Sequence, residues 1–182
     1  YWMYFITIVP AFIASLFITK YISMPLKPIF KEMPFSLAEE NIQSRSRGNI
    51  LMAIANKLGY VLLNTSNKSE CAVGYGTLYG DMCGAIGVIG DVYKTQIFQL
   101  ARFINKDGEI IPENTIVKPP SAELRPDQKD SDSLPDYSIL DQILFQHIEL
   151  KRGSNALIAQ GFEEELVKRV LKMVNQAEFK RY

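Results

Sequence analysis

The sequence predicts an α/β domain in which helices flank a parallel sheet. Short apolar runs such as "YVLLNT" alternate with longer segments whose apolar residues recur at helical spacing. The 182 residues are also enough to bury the core of one such domain, and no internal repeat indicates a solenoid or propeller. We therefore expect a single layered domain of alternating strands and helices.

The charge balance and the side-chain inventory exclude several classes of function. Twenty basic residues match twenty acidic ones, which argues against a general nucleic-acid-binding protein. Cys71 and Cys83 are too few for a disulfide framework, and both lie among small residues, as buried free thiols do in a reducing, cytoplasmic setting. His147 is the only histidine, so the sequence does not predict a zinc site.

The first nineteen residues carry no charged side chain, and two interpretations of them stay open. Their length matches the roughly 20 apolar residues that cross a bilayer. We favour a buried βα unit, in which "YFITIV" is a strand, Pro10 begins a helix and "YISMPL" returns as the next strand. We therefore separate an apolar segment, residues 1–21, from a domain over residues 22–182, and do not expect a membrane protein.

Residues 36–58 predict a long helix with both ends defined. Ser36 is placed to cap the N-terminus, and Gly59 suits the left-handed conformation that ends a helix. A wide apolar stripe runs along the predicted helix, so we expect it to contact the same helix of a second subunit; the alternative is that it packs on the chain's own sheet. The stripe consists of Ile42, Leu51, Ile54 and Leu58, widened by Met52 and Ala55.

The apolar run "YVLLNT" predicts a strand that leads into a polar stretch, residues 64–81. Ligands of open parallel sheets bind beyond the carboxyl ends of the strands, so this stretch falls on the functional edge. Asn67 and Glu70 form a capping pair for the next helix. The three glycines and two tyrosines that follow allow close backbone approach and offer flat faces to a planar ring, which suits a nucleotide without specifying it.

Three more helices and a long connector complete the predicted elements. The helices fall in "GDVYKTQIFQLARFINK", "YSILDQILFQHIEL" and "FEEELVKRVLKMVNQAEF". The connector, residues 110–137, is rich in proline and charge, as functional lids and disordered segments are, and we expect its stretch "SAELRPDQKDSDS" to be mobile without ligands. Its acidic residues Asp127, Asp130 and Asp132 are expected to be solvated rather than to bind a metal.

Several long motifs in register carry a resemblance to a known family. They are "EENIQSRSRGNILMAIAN", "LLNTSNKSECAVGYGTLYGD", "GDVYKTQ" and "KPPSAELRPDQKDSDSLPDY". Together they closely resemble NAD synthetase, above all the synthetase portion of the bacterial glutamine-dependent enzymes, over residues 22–182. The resemblance implies an adenine-nucleotide α-hydrolase-like fold, a homodimer and the amidation of nicotinic acid adenine dinucleotide to NAD. It also implies ATP and Mg²⁺ as cofactors, and ammonia, either free or derived from glutamine.

The resemblance also implies which positions contact the ligands, and it assigns no residue as certainly catalytic. The positions matched to the dinucleotide substrate are Asn41, Arg45, Glu70 and Lys180. The positions matched to ATP are Thr65, Lys94 and Ser121. Glu70 is in addition matched to a magnesium ligand.

Two parts of the family pattern have no counterpart in these residues. One is the pyrophosphate-binding loop "SGGxDS", and the other is the glutaminase domain. We therefore expect a fragment that makes no NAD by itself, because electrostatic clamping of the group being transferred is normally the largest catalytic contribution. The alternatives are an inactive remnant that binds a nucleotide or dimerises, and a nucleotide-binding domain anchored in a membrane.

Overall fold

The computed structural model describes residues 17, 20–22, 24–31 and 33–181, which fall into two compact units. The first unit comprises Tyr1–Thr65 and Gly76–Val88, and the second comprises Ser66–Tyr75 and Ile89–Tyr182. The strand predicted at "YFITIV" and the helix predicted to begin at Pro10 lie outside the described residues. Within the described part of the chain, no helix is both long and apolar enough to span a bilayer.

The strand predicted at "YISMPL" is wrong. Tyr21 and Ile22 are helical, and Met24–Leu26 forms a 3₁₀ turn that leads directly into helix α1, Lys27–Phe30. Proline explains the difference, because its fixed φ suits a helical turn whereas its missing N–H cannot take part in the ladder of a central strand. Pro25 and Pro28 both fall in this segment.

Helix α2, Leu37–Leu58, confirms the predicted long helix. The Ser36 side chain accepts from the N–H of Ala38 at 3.1 Å, while Glu39 Oε2 accepts from the N–H of Ser36 at 2.8 Å. Gly59 ends the helix with φ 68°, the left-handed conformation expected of it. The buried side of α2 is mostly polar or small, and its residues are Glu40, Gln43, Ser44, Ser46, Gly48 and Ala55.

The first unit contains a short parallel pair of strands. Strand β1, Leu63–Asn64, pairs with strand β2, Ile86–Gly87, with Leu63 opposite Ile86 and Asn64 opposite Gly87. The predicted strand "YVLLNT" is therefore confirmed only over its later residues. Parallel pairing requires a long crossover between the strands, and the polar stretch that follows β1 supplies it. That stretch includes helix α3, Lys68–Val73.

Helices make up most of the second unit. In addition to α3, they are α4 (Lys94–Ile104), α5 (Glu113–Val117), α6 (Tyr137–Ile148), α7 (Ser154–Ala159) and α8 (Glu164–Gln176), with a terminal 3₁₀ segment, Glu178–Arg181. Helix α3 packs against three of them, α4, α6 and α8. The core of the unit is mainly aliphatic, and the fully buried aliphatic side chains are Leu140, Ile143, Leu144, Leu157, Val167 and Val170. The predicted helices correspond to α4, α6 and α8, while α5 and α7 were not predicted. Both are short, at five and six residues, so their apolar periodicity is too brief to detect.

Candidate functional site

In the first unit, a tight contact joins α2 to the loop of residues 76–83. A Cβ added to Gly80 would lie 2.3 Å from Ser44 Oγ, so only glycine fits this approach. The Ser44 hydroxyl donates to Asp81 Oδ1 at 2.6 Å, and the same oxygen accepts the N–H of Thr77 at 2.9 Å. The glycine predicted to allow close backbone approach thus brings the loop against its own helix.

Asn41 and Arg45, the two positions on α2 matched to the dinucleotide, both contact this loop. Asn41 Oδ1 accepts from the Thr77 hydroxyl at 2.8 Å, and Arg45 Nε donates to the carbonyl oxygen of Leu78 at 3.1 Å. Arg45 is exposed, so the rest of its guanidinium can meet an anionic group. Thr65 belongs to the same unit, is exposed and directly follows β1, where the sequence placed a ligand-facing edge.

In the second unit, Glu70 has two partners at the start of α3. Its backbone N–H donates to Asn67 Oδ1 at 2.9 Å, and its Oε2 accepts the N–H of Asn67 at 3.2 Å, so the predicted capping pair is confirmed. Its other oxygen, Oε1, lies 3.0 Å from Lys94 Nζ. The two side chains are only 17% and 19% exposed, so Glu70 is at once a helix cap and the counter-charge of Lys94.

The Lys94 backbone is fixed by a buried network at the start of α4. Its N–H donates to Ser69 Oγ at 2.9 Å, and the next N–H, of Thr95, donates to Asp141 Oδ2 at 2.8 Å. The Ser69 hydroxyl in turn donates to Asp141 Oδ1 at 2.5 Å. These contacts occupy the first amides of α4, so the ammonium of Lys94, rather than the helix end, is the group that can meet a phosphate.

Lys180 lies where the end of the described chain packs on the end of α3. Its ammonium donates to the carbonyl oxygen of Gly74 at 2.8 Å, and the Arg181 guanidinium donates to the carbonyl of Ala72 at 3.0 Å. Gly74 has φ 70°, and a Cβ there would lie 2.4 Å from the Ala177 Cβ. The ammonium of Lys180 and the guanidinium of Arg181 therefore both bind carbonyl oxygens at the C-terminal end of α3, the helix that carries Glu70.

Ser121 lies in the connector, where hydrogen bonds join residues within the segment. The Ser121 hydroxyl accepts the N–H of Glu123 at 3.0 Å. The neighbouring carbonyl of Pro120 accepts the N–H of Asp130 at 2.9 Å. Asp130 is 4% exposed, so the prediction that it is solvated is wrong, although Asp127 and Asp132 are exposed as expected.

Asp130 is buried because it has a side-chain donor. Its Oδ2 accepts from the Tyr137 hydroxyl at 2.9 Å, and the Tyr137 ring lies beneath the Lys94 ammonium, 5.4 Å from ring centroid to Nζ. Burial, with the negative charges of Asp130 and Glu70, raises the pKa of the Tyr137 hydroxyl above its ordinary value. The hydroxyl is therefore a permanent donor at neutral pH.

The described residues do not by themselves form a metal site. Glu70 has the oxygen chemistry that Mg²⁺ prefers, but its Oε1 is taken by Lys94 and its Oε2 by the N–H of Asn67. Among the described residues, no group of three His, Cys, Asp or Glu side chains is placed to hold an ion. The donor set therefore does not fit a metal in this arrangement.

Sequence reasoning placed Glu70 and Lys94 among the ligand contacts but missed the residues that hold them. One pair, Ser69 and Asp141, is separated by 72 residues in the sequence. The other pair, Asp130 and Tyr137, lies in the connector, where no apolar periodicity indicates burial. One weak signal was present in the sequence. Asp141 falls on the apolar face of the predicted helix "YSILDQILFQHIEL", and a carboxylate buried there needs a hydrogen-bond donor.

Comparison with known proteins extends the resemblance to nearly the whole chain. The sequence profile described as NAD synthase matches residues 13–182. The glutamine-dependent NAD(+) synthetase of Synechocystis sp. is 55% identical over 156 residues, which are 86% of this chain and 28% of that protein. The chain thus spans somewhat more than a quarter of the length of this relative.

Solved structures of similar proteins agree with the fold. The glutamine-dependent NAD+ synthetase of Acinetobacter baumannii, in complex with adenosine diphosphate, is 42% identical with a TM-score of 0.54; the match covers 90% of this chain and 29% of that one. A glutamine-dependent NAD(+) synthetase of Cytophaga hutchinsonii is 25% identical with a TM-score of 0.67, over 90% of this chain and 28% of that one. The parallel pair of strands among helices is thus the α/β fold of these proteins, and the chain belongs to the NAD synthase family.

Proposed function

We propose that the chain forms part of an NAD synthetase, which converts nicotinic acid adenine dinucleotide to NAD in the final step of NAD biosynthesis. ATP would transfer AMP to the nicotinate carboxylate with release of pyrophosphate. Ammonia would then attack the activated carbonyl carbon, and AMP would leave with the bonding electrons. The adenylation is needed because a free carboxylate is a poor acyl donor.

One observation supports this proposal beyond family membership. Glu70 and Lys94 are 24 residues apart in sequence, yet their side chains form an ion pair with a separation of 3.0 Å and little exposure. Such a pair holds an ammonium in place until a phosphate competes for it. We accordingly assign Thr65, Lys94 and Ser121 to ATP, and Asn41, Arg45, Glu70 and Lys180 to the dinucleotide.

The remaining parts of the proposal rest on the resemblance and on the names of the relatives. Mg²⁺ is expected to accompany ATP, and since the donor set does not fit a metal, no step here depends on it. Ammonia derived from glutamine is favoured over free ammonia, because the curated relative is a glutamine-dependent synthetase. A cytoplasmic homodimer is the expected state of the enzyme.

Calorimetric titration of the chain with ATP and with the dinucleotide tests the proposal. Lys94→Met should weaken ATP binding about tenfold or more, since a hydrogen bond to a charged group contributes about 1.5–3 kcal/mol. Asn41→Ala should weaken binding of the dinucleotide and leave ATP binding unchanged. Lys168→Met, on the exposed side of α8 and paired with Glu164, is the control.

Two results would overturn the assignment. One is that neither ligand binds at millimolar concentration, and the other is that both site variants bind as the control does. A coupled assay for NAD with ammonia as the donor should show no turnover by this chain alone, because its 182 residues contain no "SGGxDS" loop. Turnover above the level of a Thr65→Ala, Glu70→Ala double variant would contradict that expectation.

A further inference from the structure

We propose that Tyr137 is a positioning residue that links the two ATP-contact positions of the second unit, Lys94 and Ser121. The proposal rests on the proposed function for the identity of the ligand, and on geometry for the linkage. It assigns to Tyr137 no contact with substrate. Its action is through Lys94 on one side and through Asp130 on the other.

The first half of the link is the ring. The Lys94 ammonium lies 3.0 Å from Glu70 Oε1 and 5.4 Å from the centroid of the Tyr137 ring. An ammonium over an aromatic face is attracted by the ring quadrupole, and more strongly where water is limited, as it is for this 19% exposed side chain. The ring therefore restricts Lys94 to one side of the Glu70 carboxylate.

The second half is the hydroxyl. It donates to Asp130 Oδ2 at 2.9 Å, while Oδ1 of the same carboxylate is buried and has no hydrogen-bond partner within the part of the chain that the structure describes. A buried carboxylate with a single side-chain donor depends on that donor, because leaving it unpaired is costly. The Tyr137 hydroxyl is thus what allows Asp130 to stay inside the unit.

Asp130 carries the link to the connector through its backbone. Its N–H donates to the Pro120 carbonyl at 2.9 Å, and its carbonyl accepts the N–H of Leu134 at 2.8 Å. Pro120 immediately precedes Ser121. If Asp130 leaves the interior, its hydrogen bond to the Pro120 carbonyl is lost, and the backbone at Ser121 loses that anchor. Tyr137 therefore sets the position of both ATP-contact side chains of the second unit, Lys94 and Ser121, from one point at the start of α6.

A second tyrosine in the same unit provides a matched control. Tyr93 also donates its hydroxyl to a carboxylate, Glu149 Oε1 at 3.1 Å, and also lies beneath an ammonium, that of Lys68 at 5.2 Å. Neither Glu149 nor Lys68 belongs to the set of ligand-contact positions. Removing either hydroxyl loses the same kind of hydrogen bond, so a role in stability alone would make the two variants alike.

Hydrogen exchange of the free chain, read by mass spectrometry, tests the anchoring without any ligand. Tyr137→Phe should accelerate exchange at least threefold in the peptide covering residues 118–134, which contains the Asp130 N–H that donates to Pro120, whereas Tyr93→Phe should leave that peptide unchanged. Asp130→Ala should reproduce the effect of Tyr137→Phe, and Asp130→Asn, whose amide oxygen still accepts from the tyrosine, should restore slow exchange. Equal exchange in Tyr137→Phe and Tyr93→Phe would overturn the anchoring.

Titration with ATP then tests the effect on Lys94. Tyr137→Leu, which removes the ring as well as the hydroxyl, should weaken ATP binding about threefold to tenfold, the range expected for a partly buried cation–π contact. Tyr137→Phe should weaken it less, because the ring remains, and Tyr93→Phe should not weaken it. Unchanged affinity in Tyr137→Leu would overturn the positioning role. If the wild-type chain binds no ATP, the proposed function fails, and the exchange experiment still decides whether Tyr137 anchors the connector.

Discussion

At the scale of single residues, Asp136 shows how a local hydrogen bond makes stability depend on pH. It caps α6, and its Oδ1 accepts the N–H of Ser138 at 2.7 Å. Hydrogen bonds from the Ser138 side chain and backbone lower the pKa of Asp136 from its ordinary value of 3.8. The folded state therefore holds this proton less tightly than the unfolded state. The stabilisation is complete above the unfolded pKa and is lost as the pH falls through the folded one.

We predict that Asp136→Asn reduces the acid sensitivity of the second unit. Asparagine caps a helix about as well as aspartate, so the free energy of unfolding at pH 7 should change by less than about 0.5 kcal/mol. As the pH falls below the ordinary aspartate pKa of 3.8 and through the lowered pKa of the folded state, the wild type should lose more stability than the variant. Urea unfolding followed by circular dichroism measures both. Parallel pH profiles for the two proteins would contradict the prediction.

The residues that could be predicted from sequence are those whose partners are near in the chain. Asn67 and Glu70 are three residues apart, and their reciprocal cap is present as predicted. Lys94, the partner of Glu70 across the unit, was identified as a ligand-contact position only through the resemblance, and its ion pair with Glu70 was not predicted. The bond from Tyr137 to Asp130 was not predicted, because a proline-rich connector gives no periodicity from which to infer burial.

At the scale of elements, the ends of α2 and α3 are defined by glycines with the same backbone angles but different surroundings. Gly59 ends α2 with φ 68° and ψ 31°, and Gly74 ends α3 with φ 70° and ψ 27°. A Cβ on Gly59 would meet no atom within 4 Å, whereas one on Gly74 would lie 2.4 Å from the Ala177 Cβ. Alanine at Gly59 would therefore meet only the free-energy cost of the left-handed conformation, whereas alanine at Gly74 would meet that cost and a steric clash as well.

We predict that Gly74→Ala destabilises its unit more than Gly59→Ala does. The left-handed conformation alone costs alanine about 1–2 kcal/mol, and overpacking adds about 1–3 kcal/mol at Gly74 only. Because Lys180 donates to the Gly74 carbonyl, the same substitution should also weaken binding of the dinucleotide. Chemical denaturation and titration of the two variants give both quantities. Equal loss of stability in the two variants would show that the segment around Ala177 moves away freely.

Elements were predictable where periodicity and end signals agree. The helix over residues 36–58 has a capping serine, acidic first turns and a terminal glycine, and the structure places α2 at Leu37–Leu58. The prediction of a strand at "YISMPL" was wrong because the apolar residues are compatible with a strand but the proline is not. Apolar runs of this length cannot by themselves distinguish a strand from a helical turn.

At the scale of the whole molecule, the apolar stripe of α2 was assigned to a second subunit from sequence. In the structure the buried side of α2 carries residues such as Gln43, Ser44 and Gly48 rather than the stripe. Leu58 is 53% exposed and Met52 is 38% exposed, whereas Ala55 is buried. The burial of polar α2 side chains against the 76–83 loop could not be predicted, because Ser44 and Asp81 form their hydrogen bond only once the chain has folded. Ile42, Leu51 and Ile54 are half-buried, so the part of the stripe that stays available for a partner centres on Met52 and Leu58.

We predict that the chain forms a homodimer through this stripe at micromolar concentration. Apolar side chains half exposed on a long helix gain free energy when a second copy covers them, roughly 25 cal/mol for each Å² removed from water. Asn41 and Arg45 lie on the same helix, so the dinucleotide should strengthen the dimer if it contacts them. Sedimentation analysis with and without the dinucleotide should report twice the mass of one chain in both conditions.

Two variants locate the interface. Met52→Lys combined with Leu58→Lys should weaken the dimer at least tenfold, because association would then bury lysine side chains without a partner of opposite charge. Phe103→Lys, which replaces a side chain 62% exposed on α4, should leave the mass unchanged. A wild-type monomer with and without the dinucleotide would reject the dimer. A dimer that persists in the double variant but dissociates in Phe103→Lys would place the interface in the second unit, and the stripe would then need another partner.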